Sequence, residues 1–95
     1  MAEIAFGNRL VVPEHVATRD LDGELVLLNF DSESYFGLDE VGSRIFEVLR
    51  GAPTIAEGVR VLLGEFDVDE DALRSDVAAL VGQLVDGGLV GLESV

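Results

Sequence analysis

The chain contains no cysteine and no lysine, and its only histidine is His15. Without cysteine there is no disulfide framework, no thiolate zinc site and no Cys–His catalytic pair. That absence suits a reducing cytosol. Positive charge is scarce: 19 acidic residues against 6 arginines give a net charge of -13. Phosphate neutralisation supplies most non-specific nucleic-acid affinity, so this balance argues against nucleic acid as a partner. It argues equally against anionic membrane surfaces. Like charge keeps a small apolar domain soluble, and it leaves a basic or apolar peptide as a compatible partner. The apolar runs are only a few residues long, too short to cross a bilayer. No basic stretch followed by an apolar block marks a signal peptide at the N-terminus. The expected location is cytoplasmic, with no membrane partner.

Catalysis and cofactors find little support. His15 with a serine and an aspartate elsewhere makes a triad by inventory only, and a strand histidine is the plainer reading. Asp67, Asp69 and Asp71 alternate faintly like a calcium loop, but the required glycine and distal glutamate are missing. No glycine-rich phosphate loop of standard spacing occurs. The expectation is no enzyme, no cofactor and no metal.

What is present is a folded composition: 95 residues, 48% hydrophobic, enough for one domain spanning 1–95 with weak patterning over 1–9. Residues 10–12 are apolar before Pro13 and make at most a short strand or its edge. Residues 15–21 read as the first proper strand. Asp22-Gly23 is a hairpin signal, and residues 24–30 form a strand apolar on both faces. Asp31 and Ser32 suit a polar turn in which each bonds its own backbone. Residues 34–38 alternate, are rich in aromatics and form the third strand of an antiparallel meander.

At Asp39 the period changes from strand to helix. Val41, Ile45, Val48 and Leu49 fall at helical spacing, with Asp39 as N-cap and Arg50-Gly51 as the stop. Thr54 caps a second helix, with Glu57 at the reciprocal position of a capping box. Its apolar stripe is Ile55, Val59, Leu62, Leu63 and Phe66. A third helix starts at Asp69 or Glu70, where acidic residues suit the helix dipole. It carries Leu73, Val77, Leu80, Val81 and Leu84 and ends at Asp86-Gly87-Gly88. Residues 89–92 make a short apolar tail suited to a small added strand. The fold class is α+β: a three-stranded antiparallel sheet followed by three helices, winged helix-turn-helix-like.

A helix-turn-helix invites a DNA-binding reading, but the third helix presents acidic side chains where phosphates and guanines need donors. The third strand is more informative. In a meander it is an edge, short, aromatic and guarded by neither lysine nor proline. Such an edge is either covered, by the tail or the third helix, or completed by a peptide. It can also pair with a second copy of itself.

The order Tyr35-Phe36-Gly37-Leu38-Asp39, then Gly42, Ile45-Phe46 and Leu49, continues with Thr54 to Glu57, Phe66-Asp67-Val68-Asp69, Leu73 and Asp76-Val77. It closes with a loosened Leu84 to Leu89 motif. This pattern, over roughly residues 10–92, resembles the PqqD-like family, the RiPP recognition elements that bind leader regions of ribosomally made precursor peptides. The resemblance implies that the leader adds as a strand along Ser34, Tyr35, Phe36, Gly37 and Leu38 and lies against the third helix. Tyr35 and Phe36 would wall the cleft. Leu73, Asp76, Val77, Leu80 and Gln83 would face them, with Leu73, Val77 and Leu80 shared with the core. Asp69 and Asp76 would pair with leader Lys or Arg. The stand-alone form is most similar to lasso-peptide recognition proteins. It implies a monomeric peptide chaperone that delivers the leader to a transglutaminase-like cysteine protease, the leader peptidase, and then to a lasso cyclase. The alternatives are a pyrroloquinoline quinone (PQQ) chaperone serving a radical SAM enzyme, and a winged-helix DNA-binding protein.

Overall fold

The computed structural model describes residues 4–95. Strands β1 (Arg9–Val11), β2 (Val16–Leu21), β3 (Glu24–Asn29) and β4 (Ser34–Gly37) precede helices α1 (Glu40–Gly51), α2 (Ile55–Glu65) and α3 (Glu70–Asp86). A last strand, β5 (Gly91–Glu93), closes the chain. Strands β2, β3 and β4 form an antiparallel sheet in that order, and β1 pairs with β5 in a separate ribbon. This is the α+β, winged helix-turn-helix-like architecture expected.

The turns follow from their residues. Asp22 and Gly23 both take positive φ, 57° and 90°, the conformation a two-residue hairpin needs to match strand twist. Asp20 Oδ1 accepts the Gly23 amide at 2.8 Å. The β3–β4 turn departs from expectation. Its amides at Asp31 and Ser32 donate to Asn29 Oδ1, at 3.0 and 3.3 Å, so Asn29 organises the turn. The Ser32 and Ser34 hydroxyls bond each other at 2.6 Å.

The three N-cap side chains each accept an amide as expected, but of the capping box only the Thr54 half is seen, with Glu57 turned toward Arg60. Asp39 Oδ1 accepts the Gly42 amide at 2.7 Å, and Thr54 Oγ1 accepts the Glu57 amide at 3.1 Å. Glu57 Oε1 lies 3.6 Å from Arg60 Nη1, on the exposed side of α2. Asp69 Oδ2 accepts the Ala72 amide at 3.3 Å. Helix α3 ends in a Schellman arrangement. Leu89 N–H donates to Leu84 O and Gly88 N–H to Val85 O, with Gly88 at φ 69°.

One apolar cluster lies between the sheet and the helices. Leu25 and Leu27 of β3 meet Phe46 and Leu49 of α1, Ile55 and Leu62 of α2, and Val77, Val81 and Leu84 of α3. Weak order was expected over residues 1–9; residues 1–3 lie outside those described. From Ile4 onward the segment is held. Ile55 N–H donates to Asn8 O and Ala56 N–H to Phe6 O, and the Arg74 guanidinium sits 4.0 Å from the Phe6 ring centroid.

Candidate functional site

Strand β4 pairs with β3 on one side and has no strand on the other among the described residues. The tail that was a candidate cover pairs instead with β1, through Arg9↔Glu93, Leu10↔Leu92 and Val11↔Gly91. An antiparallel ladder alternates bonded and non-bonded pairs. Leu38 N–H donates to Leu25 O at 2.8 Å, which fixes the phase. Leu27↔Phe36 and Asn29↔Ser34 are therefore the bonded pairs, while Val26↔Gly37 and Leu28↔Tyr35 turn their β4 groups outward. The free edge thus offers the N–H and C=O of Tyr35 and Gly37.

Side chains alternate across the same strand. Phe36 shares a face with Leu27, which is fully buried, and packs half-buried against the core. Tyr35 shares the opposite face with Leu28 and is 76% exposed. So the expected pair of cleft walls is split: Phe36 lies on the helix side, and the Tyr35 ring on the outer side. That outer face also carries the exposed Leu21 and Phe30 beside half-buried Val26 and Leu28, an apolar surface that sequence reading did not assemble.

On α3 the proposed contacts divide by depth. Leu73 and Val77 are buried in the core, and Leu80 is half-buried against it. Asp76 and Gln83 are exposed, one turn before and after Leu80. Asp69 is exposed but already caps the helix.

The C-terminal end of α3 is tied to the Ser34 end of β4. Asn29, the β3 partner of Ser34, donates through Nδ2 to Gly87 O and Gly88 O at 3.2 and 3.3 Å. His15 Nε2 lies 3.2 Å from the same Gly88 O, and its Nδ1 lies 3.7 Å from Asp31. At the other end, the buried Ser43 hydroxyl of α1 bridges β3 and Leu38, the residue that follows β4. It accepts from Leu25 N–H at 2.7 Å and donates to Leu38 O at 3.3 Å. A polar residue within an otherwise apolar run, residues 25–30, was the available signal for Asn29. Ser43, one turn before Phe46 on the apolar face of α1, was the signal for the other.

A depression lined by Gly23, Glu40, Val41, Arg44, Glu47, Glu65 and Phe66 contains no β4 residue. Strand addition uses a row of backbone groups and needs no cavity. Beside it, the Arg44 guanidinium grips both Glu65 oxygens, at 2.8 and 2.6 Å. This hydrogen bonding holds the Glu65 carboxyl below its ordinary range and raises Arg44. Among the described residues no three His, Cys, Asp or Glu side chains are grouped to hold a metal. No described helix is long and apolar enough to cross a membrane.

An open-edged three-stranded sheet carried on three helices defines a small winged-helix domain. The family model for coenzyme PQQ synthesis protein D (PqqD) matches residues 24–90. The chain belongs to the PqqD family. Among solved structures, TbiB1 in complex with the TbiA(beta) leader peptide is 31% identical, with a TM-score of 0.78. That match covers 84% of this chain and 93% of TbiB1. Lasso peptide synthetase B1 complexed with the leader peptide is 24% identical, also at a TM-score of 0.78, over 87% of this chain and 98% of its own. No curated protein matches the chain.

Proposed function

We propose that this protein is a non-catalytic recognition element. It binds the leader region of a ribosomally synthesised precursor peptide along β4 and delivers it to a leader peptidase and a cyclase in lasso-peptide biosynthesis. The observation that carries this reading is the unpartnered row of Tyr35 and Gly37 backbone groups on β4. The relative solved with a leader peptide supports it. Added as a strand, the leader would alternate its side chains between two surroundings. Those on the helix side would meet Phe36 and, on α3, Leu80 flanked by Asp76 and Gln83. Buried Leu73 and Val77 would contribute only to the floor beneath. Those on the outer side would meet the Tyr35 ring. Asp76 is free to pair with a leader Lys or Arg, whereas Asp69 would do so while still capping α3. In this reading the protein acts as a cytoplasmic monomer.

A second reading, chaperone of the PQQ precursor peptide for a radical SAM enzyme, is favoured by the description of the matching family model. Both readings use the same edge and differ in the leader. Fluorescence polarisation against a panel of synthetic lasso and PQQ-type leaders distinguishes them. The lasso leader encoded beside this protein is expected to bind best. Affinity weaker than about 100 μM for every leader, under about 5.5 kcal/mol, overturns both readings.

A further inference from the structure

The two buried polar residues among those described, Asn29 at 5% exposure and Ser43 at 2%, sit at the two ends of β4. We infer that Asn29 and Ser43 are positioning residues that hold the β4 edge extended before any peptide arrives. The inference rests on the leader-binding reading for its consequence, but its structural part is testable alone.

At the Leu38 end the ladder is interrupted by a hydroxyl. Leu38 N–H reaches Leu25 O directly, as an ordinary bonded pair would. The reciprocal bond runs through Ser43, which accepts from Leu25 N–H and donates to Leu38 O. The hydroxyl thereby ends the strand pairing where Asp39 begins α1, and couples the edge to a helix packed in the core. At the Ser34 end a single amide makes four contacts. Asn29 Oδ1 takes the turn amides of Asp31 and Ser32, while Nδ2 holds the Gly87 and Gly88 carbonyls that close α3. The left-handed Gly88 is needed there, because a Cβ would stand 3.2 Å from Asn29 Nδ2 in a backbone conformation that side chains rarely adopt. One side chain therefore fixes both the end of the edge strand and its offset from α3.

A strand held on one side only must otherwise be ordered by its ligand. Ordering one residue's backbone on binding weakens affinity by about tenfold. Clamping both ends removes that penalty while leaving the outward groups of Tyr35 and Gly37 free.

The test compares Asn29→Ala and Ser43→Ala with Val59→Ala, a fully buried position on α2 that makes none of these bonds. Amide hydrogen exchange at Phe36 and Leu38 reads the edge without any ligand. Leader affinity is measured for each variant at the same interval below its melting temperature. Asn29→Ala and Ser43→Ala are expected to speed exchange at Phe36 and Leu38 relative to Val59→Ala and to lose about tenfold in leader affinity. Ser43→Thr, which keeps the hydroxyl, is expected to restore both. Should Asn29→Ala not fold, Asn29→Asp carries the comparison. It keeps an acceptor for the turn and loses the donors to α3, so the edge stays ordered and exchange at Phe36 stays slow, while the released offset between β4 and α3 lowers affinity. Exchange and affinity indistinguishable from Val59→Ala overturn the inference. A wild-type protein that binds no leader overturns the functional reading instead, while the exchange arm still decides the positioning role.

Discussion

Tyr35 and Phe36 are adjacent, and their backbone groups point in opposite directions in the plane of the sheet. Phe36 N–H belongs to the ladder with β3, whereas Tyr35 N–H faces the free edge. Proline has no N–H, so its effect depends on which residue it replaces. Tyr35→Pro is expected to fold, since edge strands accept proline, and to lose at least about tenfold in leader affinity through one lost hydrogen bond and a blocked edge. Phe36→Pro removes a ladder bond and unseats a half-buried ring, so its cost should appear first in the thermal melt. Polarisation and melting curves on the pair check this. Equal affinity loss with equal destabilisation would sink the assignment of the edge. The residue types at this site were legible in the sequence, but the phase of the ladder was not. Alternation shows that Tyr35 and Phe36 face apart; only pairing with Leu27 and Leu28 shows which one faces the core.

The elements were the most legible level, because each is announced by local chemistry. Asp39, Thr54 and Asp69 each accept an amide three residues on, and Asp22-Gly23 makes the hairpin turn. What joins the elements was less visible. Asn29 takes over the turn bonds assigned to Asp31 and Ser32, and β5 goes to β1 through long-range pairing that no local pattern encodes. The Arg44–Glu65 link between α1 and α2 is of the same kind. Its pH dependence has a definite sign. The folded state depresses the Glu65 pKa, chiefly through the Arg44 hydrogen bond, so the pair stabilises the fold above the ordinary carboxylate range and loses that effect as pH falls through the depressed value. Both groups face solvent, so the effect is small and screened by salt. Melting curves should separate wild type from Glu65→Gln at pH 7, and the separation should narrow as the pH is lowered through and below the ordinary carboxylate range. A gap that persists unchanged in acid would show that Glu65 acts through packing alone.

At the scale of the whole molecule, the fold and the charge point to different partners. Helices α2 and α3 have the helix-turn-helix arrangement of a DNA-binding domain. Yet the exposed positions of α3 include Glu70, Asp71, Asp76 and Asp86, and the chain carries -13 overall. Such a surface repels phosphate and attracts cationic peptide. The backbone ladder at β4 is neutral and short-ranged, so salt leaves it nearly untouched. Charge pairs across the edge are screened as the Debye length falls from about 10 Å at 0.1 M to about 3 Å at 1 M. A leader bearing Lys or Arg opposite Asp76 should therefore bind more weakly as salt rises, with most of the change in the association rate. Asp76→Asn should reduce that dependence, the remaining acidic surface keeping part of it, and leave the high-salt affinity in place. Stopped-flow association at several ionic strengths measures both quantities. Binding that strengthens with salt, or a salt slope unchanged in Asp76→Asn, would remove Asp76 from the contact and leave recognition to the edge and its apolar flanks.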